Sequence, residues 1–296
     1  MIEQSRNKWM DVARGITILL MILGHTSIPE QLSRFIYSFH MPLFFISSGW
    51  MTNWLKYSFK QFAGRRIETL VMPFVIYSGI VLLLLGFKGS DWLIKGWQGY
   101  ALWFIPVLFF ALLIVRLIFL MKRKWVKCIM CLCLLITAVL LKMFNISLTW
   151  SLNVVPYACF LIMLGTYLKK YQSILETFRW TIIFLGFVIS LVVSYFWKLD
   201  MAWNNIIPVI PLTIGAVAGT AMIFSMSTII VKYIPKVGLY FQYVGKETFV
   251  IVAFSQAIVI LCNAYFTINP IIKYLILFVS LWLIISVKNR IKILLK

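Results

Sequence analysis

Asp11-Val12-Ala13-Arg14-Gly15-Ile16-Thr17-Ile18-Leu19-Leu20-Met21-Ile22-Leu23-Gly24-His25 places an aspartate, an arginine and a histidine in one otherwise apolar run. A second run follows, Phe39-His40-Met41-Pro42-Leu43-Phe44-Phe45, and its histidine completes the chain's total of two. Runs this apolar read as membrane helices, and ionisable groups at membrane depth are costly enough to mark functional sites. Both histidines fall in one helical hairpin, joined by a short turn over Pro29–Arg34, and the chemistry is expected there.

The composition extends this reading to the whole chain. With 62% hydrophobic and 12% charged residues over 296 positions and a mean hydropathy of +0.97, the sequence is too apolar for a water-soluble domain. Apolar runs fall at approximately 11–29, 35–54, 68–86, 101–121, 126–144, 152–168, 180–197, 208–231, 248–266 and 270–287. The expected fold is all-α: a polytopic membrane bundle of about ten helices forming one domain over 1–296. Pro208 and Pro211 predict a late start or a kink in the eighth run. The polar start before the first run contains no small-residue cleavage site, so that span is expected to be retained. No internal repeat or low-complexity segment is visible.

Net charge is +20, but the basic residues sit in short clusters between apolar runs rather than on one surface. That is an orientation signal, and no nucleic-acid partner is expected. Twenty Lys and Arg fall on the side of the N-terminus and six on the other, with Arg14 and Arg116 inside spans. The bias predicts both termini in the cytoplasm, in a multi-pass protein of a bacterial-type plasma membrane. The five cysteines lie in apolar runs, and Cys128-Ile129-Met130-Cys131 lacks the partner ligands a metal site needs. Neither disulfides nor a bound metal are expected.

On a helix, Arg14 and His25 are eleven positions apart, so they are offset by only about 20° around the axis and stand about 16 Å apart along it. Asp11 precedes Arg14 by three residues on the same face and can pair with it. One reading makes Asp11 and Arg14 an interfacial anchor and His25 a packed polar contact. The other makes the imidazoles proton acceptors for a hydroxyl. Arg65, Arg66 and the Lys122-Arg123-Lys124 cluster serve either as orientation charges or as a phosphate grip, in a chain with no Gly-rich phosphate loop. Trp103 is either a membrane-interface anchor or a surface for a sugar ring. Asn204 and Asn205, in a loop on the side of His25, are candidates for contacting an acceptor's hydroxyls.

The Asp11-to-Gly15 run with His25 eleven positions after Arg14 resembles the opening signature of the membrane acyltransferase family 3, which includes surface-polysaccharide O-acetyltransferases. Four further stretches agree: Ser38 to Gly49, Arg65-Arg66 with Leu70 to Pro73, Leu102 to Ile105 with Leu108, and Leu164 to Leu168. The resemblance is densest over the first 170 residues. It departs at Gly245 to Ser255, which resembles a late segment often ending in histidine; here that position is Ser255. The resemblance implies transfer of an acyl group, most commonly acetyl, from cytoplasmic acyl-CoA to a saccharide hydroxyl at the outer side, with acyl-CoA as co-substrate and no resident cofactor. Within such a reaction, the positions read above make His25 the expected general base with His40 assisting, put Arg14 and Asp11 with Arg65 and Arg66 on the donor side, and put Trp103, Asn204 and Asn205 on the acceptor side. A transporter or flippase for a small solute or lipid-linked sugar would use the same buried charges without covalent chemistry, and a non-catalytic assembly subunit would not need His25. The sequence leaves oligomeric state open.

Overall fold

The computed structural model describes residues 8–26, 28–85, 101–265 and 270–294. Among them every regular element is helical apart from a single bridge between Asp200 and Asn205. Helices α1 (Lys8–Gly24), α2 (Glu30–Met51), α3 (Phe59–Arg66) and α4 (Met72–Leu85) are followed by α5 (Phe104–Leu120), α6 (Lys124–Met143), α7 (Val155–Leu168) and α8 (Gln172–Thr177). The chain continues through α9 (Arg179–Phe196), α10 (Val209–Tyr233), α11 (Pro235–Lys246), α12 (Thr248–Tyr265) and α13 (Pro270–Leu294).

Seven of the described helical stretches are long and apolar enough to cross a membrane, or eight if α11 and α12, bent by 75° at their junction, form one span. Sequence patterning suggested about ten. The difference falls on the first hairpin. α1 has only 17 residues and carries Asp11 and Arg14, while α2 includes Glu30, Arg34, His40 and four serines. These helices lie inside the bundle, where protein replaces lipid and polar side chains find partners. At the other extreme, only 6% of the apolar window of α6 is buried, against 67% for the stretch from Ala101 to Leu120. α6 is a peripheral helix whose apolar face needs no protein neighbour in a bilayer.

Local signals explain the boundaries. The turn expected over Pro29–Arg34 is shorter than its sequence suggested: Pro29 caps α2, and Glu30 and Arg34 already form an i,i+4 ion pair at 2.7 Å in its first turn. α3 opens with a capping box, Ser58 Oγ accepting from the Gln61 amide and Gln61 Oε1 accepting from the Ser58 amide. α10 starts late, at Val209, with Pro208 as its cap and Pro211 in the first turn, where a missing N–H breaks no helical bond.

Glycine sets the closest crossings. A Cβ on Gly49 would stand 1.9 Å from the Ile162 carbonyl oxygen, and one on Gly165 would stand 2.0 Å from that of Ile46, so α2 and α7 touch backbone to backbone. The α1–α11 crossing repeats the device: Gly15 meets the Phe241 carbonyl at 2.0 Å and Gly245 meets that of Asp11 at 1.8 Å. Between membrane helices, where hydrophobic burial adds little, such approaches supply the association energy through packing. Trp54 Nε1 donates to Thr166 Oγ1 at 2.9 Å, and Thr166 lies within reach of the Gly49 carbonyl at 3.2 Å, which adds a polar clasp to the α2–α7 seam.

Candidate active site

α1 presents one face through Arg14, Ile18, Met21 and His25, as the eleven-residue spacing requires. Arg14 is half-buried, and its Nε and one terminal nitrogen both lie 3.4 Å from Ser47 Oγ on α2. Asp11 is buried one turn away, beneath the glycine crossing with α11. His25 stands in the turn just after α1, its ring exposed.

The Nδ1 of His25 lies 2.8 Å from the Met21 carbonyl oxygen. A carbonyl only accepts, so Nδ1 carries the proton and, in the neutral ring, Nε2 keeps its lone pair. His40 repeats the arrangement four residues after Ile36, whose carbonyl accepts from Nδ1 at 3.1 Å, but its ring is only 3% exposed. The two rings meet edge to face with centroids 6.4 Å apart, and Tyr37 packs against both, 5.8 Å from His25 and 4.7 Å from His40.

These rings line a cavity of about 220 Å³ whose wall continues down α1 through Met21 to Ile18, one turn above Arg14. Its far side is the loop between α9 and α10, which supplies Asp200, Met201, Ala202 and Trp203, together with the 3₁₀ turn Ala101–Trp103 and Gln256 of α12. Trp103 is 6% exposed and faces the cavity rather than a membrane interface. Gln256 Oε1 accepts from the Ala101 amide at 2.6 Å, which ties α12 to that turn. Burial raises the Asp200 carboxyl above its usual value; attraction to Lys198, amide donors from Trp203 and Ala202, and attraction to His25 draw it back. A carboxylate therefore faces the imidazoles across the cavity.

Asn204 and Asn205 do not line this space. Asn204 is buried with φ 49°, a left-handed conformation asparagine tolerates, and Asn205 Nδ2 donates to the Lys198 carbonyl at 2.8 Å. With the backbone pairing of Asp200 and Asn205, they frame the loop that presents Asp200 and Trp203. The loop named from the sequence for Asn204 and Asn205 thus borders the cavity through its neighbours Asp200 to Trp203. Sequence reasoning missed Tyr37 and Gln256. The signal for Tyr37 was its place three residues before His40, on the same helical face, and the signal for Gln256 was its position beside Ser255, which is itself buried.

Arg65 and Arg66 stand elsewhere. They line a separate, more open cavity of about 730 Å³ beyond the C-terminus of α2, with Thr52, Lys56, Tyr57 and Glu68. Arg65 donates to the Tyr57 hydroxyl at 2.8 Å and stacks on its ring at 3.9 Å; Arg66 lies 3.4 Å from Thr52 Oγ1 and 5.0 Å from the Phe62 ring. The buried Arg116 fixes the same loop by donating to the Tyr57 carbonyl at 2.7 Å. Lys122, Arg123 and Lys124 are exposed between α5 and α6 and do not line this cavity. The basic cavity thus lies at the C-terminal end of α2, Arg14 meets α2 at Ser47, and the imidazoles stand at the opposite end of the hairpin.

The family model described as an acyltransferase domain matches residues 7–288. No curated protein and no solved structure matches the chain.

Proposed function

Since the chain belongs to the membrane acyltransferase family 3, we propose that this multi-pass protein moves an acyl group, acetyl in the simplest case, from acyl-CoA on the cytoplasmic side to a saccharide hydroxyl on the other. The observation that carries the reading is the His25 ring: its Nδ1–H is committed to Met21, and Nε2 is left as an acceptor on the wall of a cavity that reaches down to Ile18, one turn from Arg14.

The donor's phosphates would sit among Lys56, Arg65 and Arg66, and its arm would pass Arg14, whose planar guanidinium suits an amide or phosphate oxygen. The thioester would then reach the cavity beside His25. There Nε2 accepts the proton of the acceptor hydroxyl as its oxygen bonds to the thioester carbonyl carbon. The tetrahedral adduct collapses, the C–S bond breaks, and CoA leaves as a thiolate that takes the proton back from the imidazolium. Asp200 favours the imidazolium formed between these steps, and Tyr37 and His40 pack the ring in place. Trp103 and Trp203 offer apolar surface to the acyl group or a sugar ring.

The sidedness of the reaction is tested in sealed vesicles of known orientation. Acetyl-CoA supplied at the face of the Arg65 loop should label acceptor held at the His25 face. Label confined to the donor's own side would contradict transfer across the bundle.

A further inference from the structure

A second cavity opens on the other side of His25. It has a volume of about 390 Å³, lies between α12 and α13, and is lined by Val259, Asn263, Lys273, Tyr274 and Leu277 as well as His25. Among the described residues, His25 is the one side chain that both cavities share. The volume falls in the range of about 300–1,000 Å³ typical of small-molecule sites, and its wall is apolar along Val259 and Leu277 and polar at Asn263 and Lys273.

The two chambers differ in charge. Among the described residues, the lining of the chamber facing His40 includes Asp200 and no lysine or arginine; Lys198 stands outside it, its Nζ 5.4 Å from the Tyr37 ring. The lining of the chamber between α12 and α13 includes, among the described residues, Lys273 and no carboxylate. Lys273 Nζ donates to Asn263 Oδ1 at 2.7 Å, a neutral partner that orients the ammonium without neutralising it. Among the described residues no carboxylate lies within ion-pair distance of it. An ammonium has three donors, so two remain for a ligand. Lys198 offsets part of the Asp200 charge on one side, so the contrast rests chiefly on Lys273: an anionic group is drawn to the Lys273 side, and that difference sorts two substrates.

We infer that the acceptor occupies the α12–α13 chamber and bears an anionic group, a carboxylate or a phosphate, which Lys273 holds while the reacting hydroxyl faces His25 Nε2. The inference rests on the acyltransferase reading above. The neutral thioester end of the donor takes the Asp200 chamber, and the substrates approach the shared imidazole from opposite sides.

The test compares matched acceptors with purified protein and radiolabelled acetyl-CoA: methyl β-D-glucuronide against methyl β-D-glucoside, and the galacturonide against the galactoside. Each pair differs only in bearing a carboxylate or a hydroxymethyl group. The acidic member should be the better acceptor by about tenfold in kcat/KM, as one charge-assisted contact allows. Lys273→Met should bring that ratio to about one through KM, and Lys273→Glu should reverse it. Equal use of both members by the wild type, or a Lys273→Met variant that keeps the preference, overturns the inference. So does failure of every acidic member while CoA release still requires His25. Absence of any His25-dependent CoA release defeats the acyltransferase reading itself, a separate result.

Discussion

A hydrogen bond to a backbone carbonyl determines which imidazole nitrogen can act, and at His25 and His40 it leaves Nε2 as the acceptor in both rings. The difference between them is exposure: His25 is exposed and borders two cavities, whereas His40 borders only the first and is 3% exposed, packed against Tyr37. This separates a base that meets substrates from a ring that positions it. Arg14 makes a comparable distinction at the donor end, touching Ser47 through two nitrogens. Arg14→Lys keeps the charge and loses the fork, so KM for acetyl-CoA should rise about tenfold with a smaller change in kcat. Steady-state kinetics with varied acetyl-CoA check this, and an unchanged KM would reduce the role of Arg14 to charge alone. The spacing of Arg14 and His25 was legible in the sequence because a helix converts eleven positions into one face. Tyr37 and Asp200 were not, since a ring contact and a loop's approach are tertiary facts that no local period encodes.

Among the elements, the family-like stretches turn out to hold the crossings: Gly15, Gly49, Gly165 and Gly245 each sit where another helix's carbonyl approaches within 2.0 Å of a would-be Cβ. Gly49→Ala or Gly165→Ala should therefore destabilise the α2–α7 seam by about 1–3 kcal/mol or more, the usual cost of overpacking. By contrast, Gly64→Ala meets open space and should be neutral or slightly stabilising in α3. Thermal unfolding in detergent distinguishes these variants, and equal melting temperatures would refute the crossing argument. The α9–α10 loop carries its own prediction. Burial raises the Asp200 carboxyl, so the folded state holds that proton more tightly than the unfolded chain does. Its contribution to stability is complete below the unfolded carboxylate value and is lost as pH rises through the folded value. Asp200→Asn should raise the melting temperature at pH 7, with the gain shrinking towards pH 4; a loss at pH 7 would show that its amide and lysine partners outweigh burial. The sequence marked this loop only by its two asparagines, because a left-handed residue advertises a turn but not what the turn presents.

Over the whole molecule, hydropathy reported what faces lipid better than what forms the centre. The peripheral helices α6, α9 and α13 read plainly as apolar spans, whereas α1, which ends just before His25, and α2, which holds His40, carry polar side chains inside the bundle and do not. The same burial makes them the chemical core: a basic cavity at one end, Arg14 partway along, and the paired imidazoles at the other. The central claim is that acyl transfer at this last point needs His25 as base. Its most direct test is CoA release and label transfer from radiolabelled acetyl-CoA by the purified protein beside a His25→Ala variant of matched thermal stability. The account predicts a loss of at least about 100-fold in the variant, the scale of a missing general base. Undiminished release and transfer by folded His25→Ala protein would contradict it.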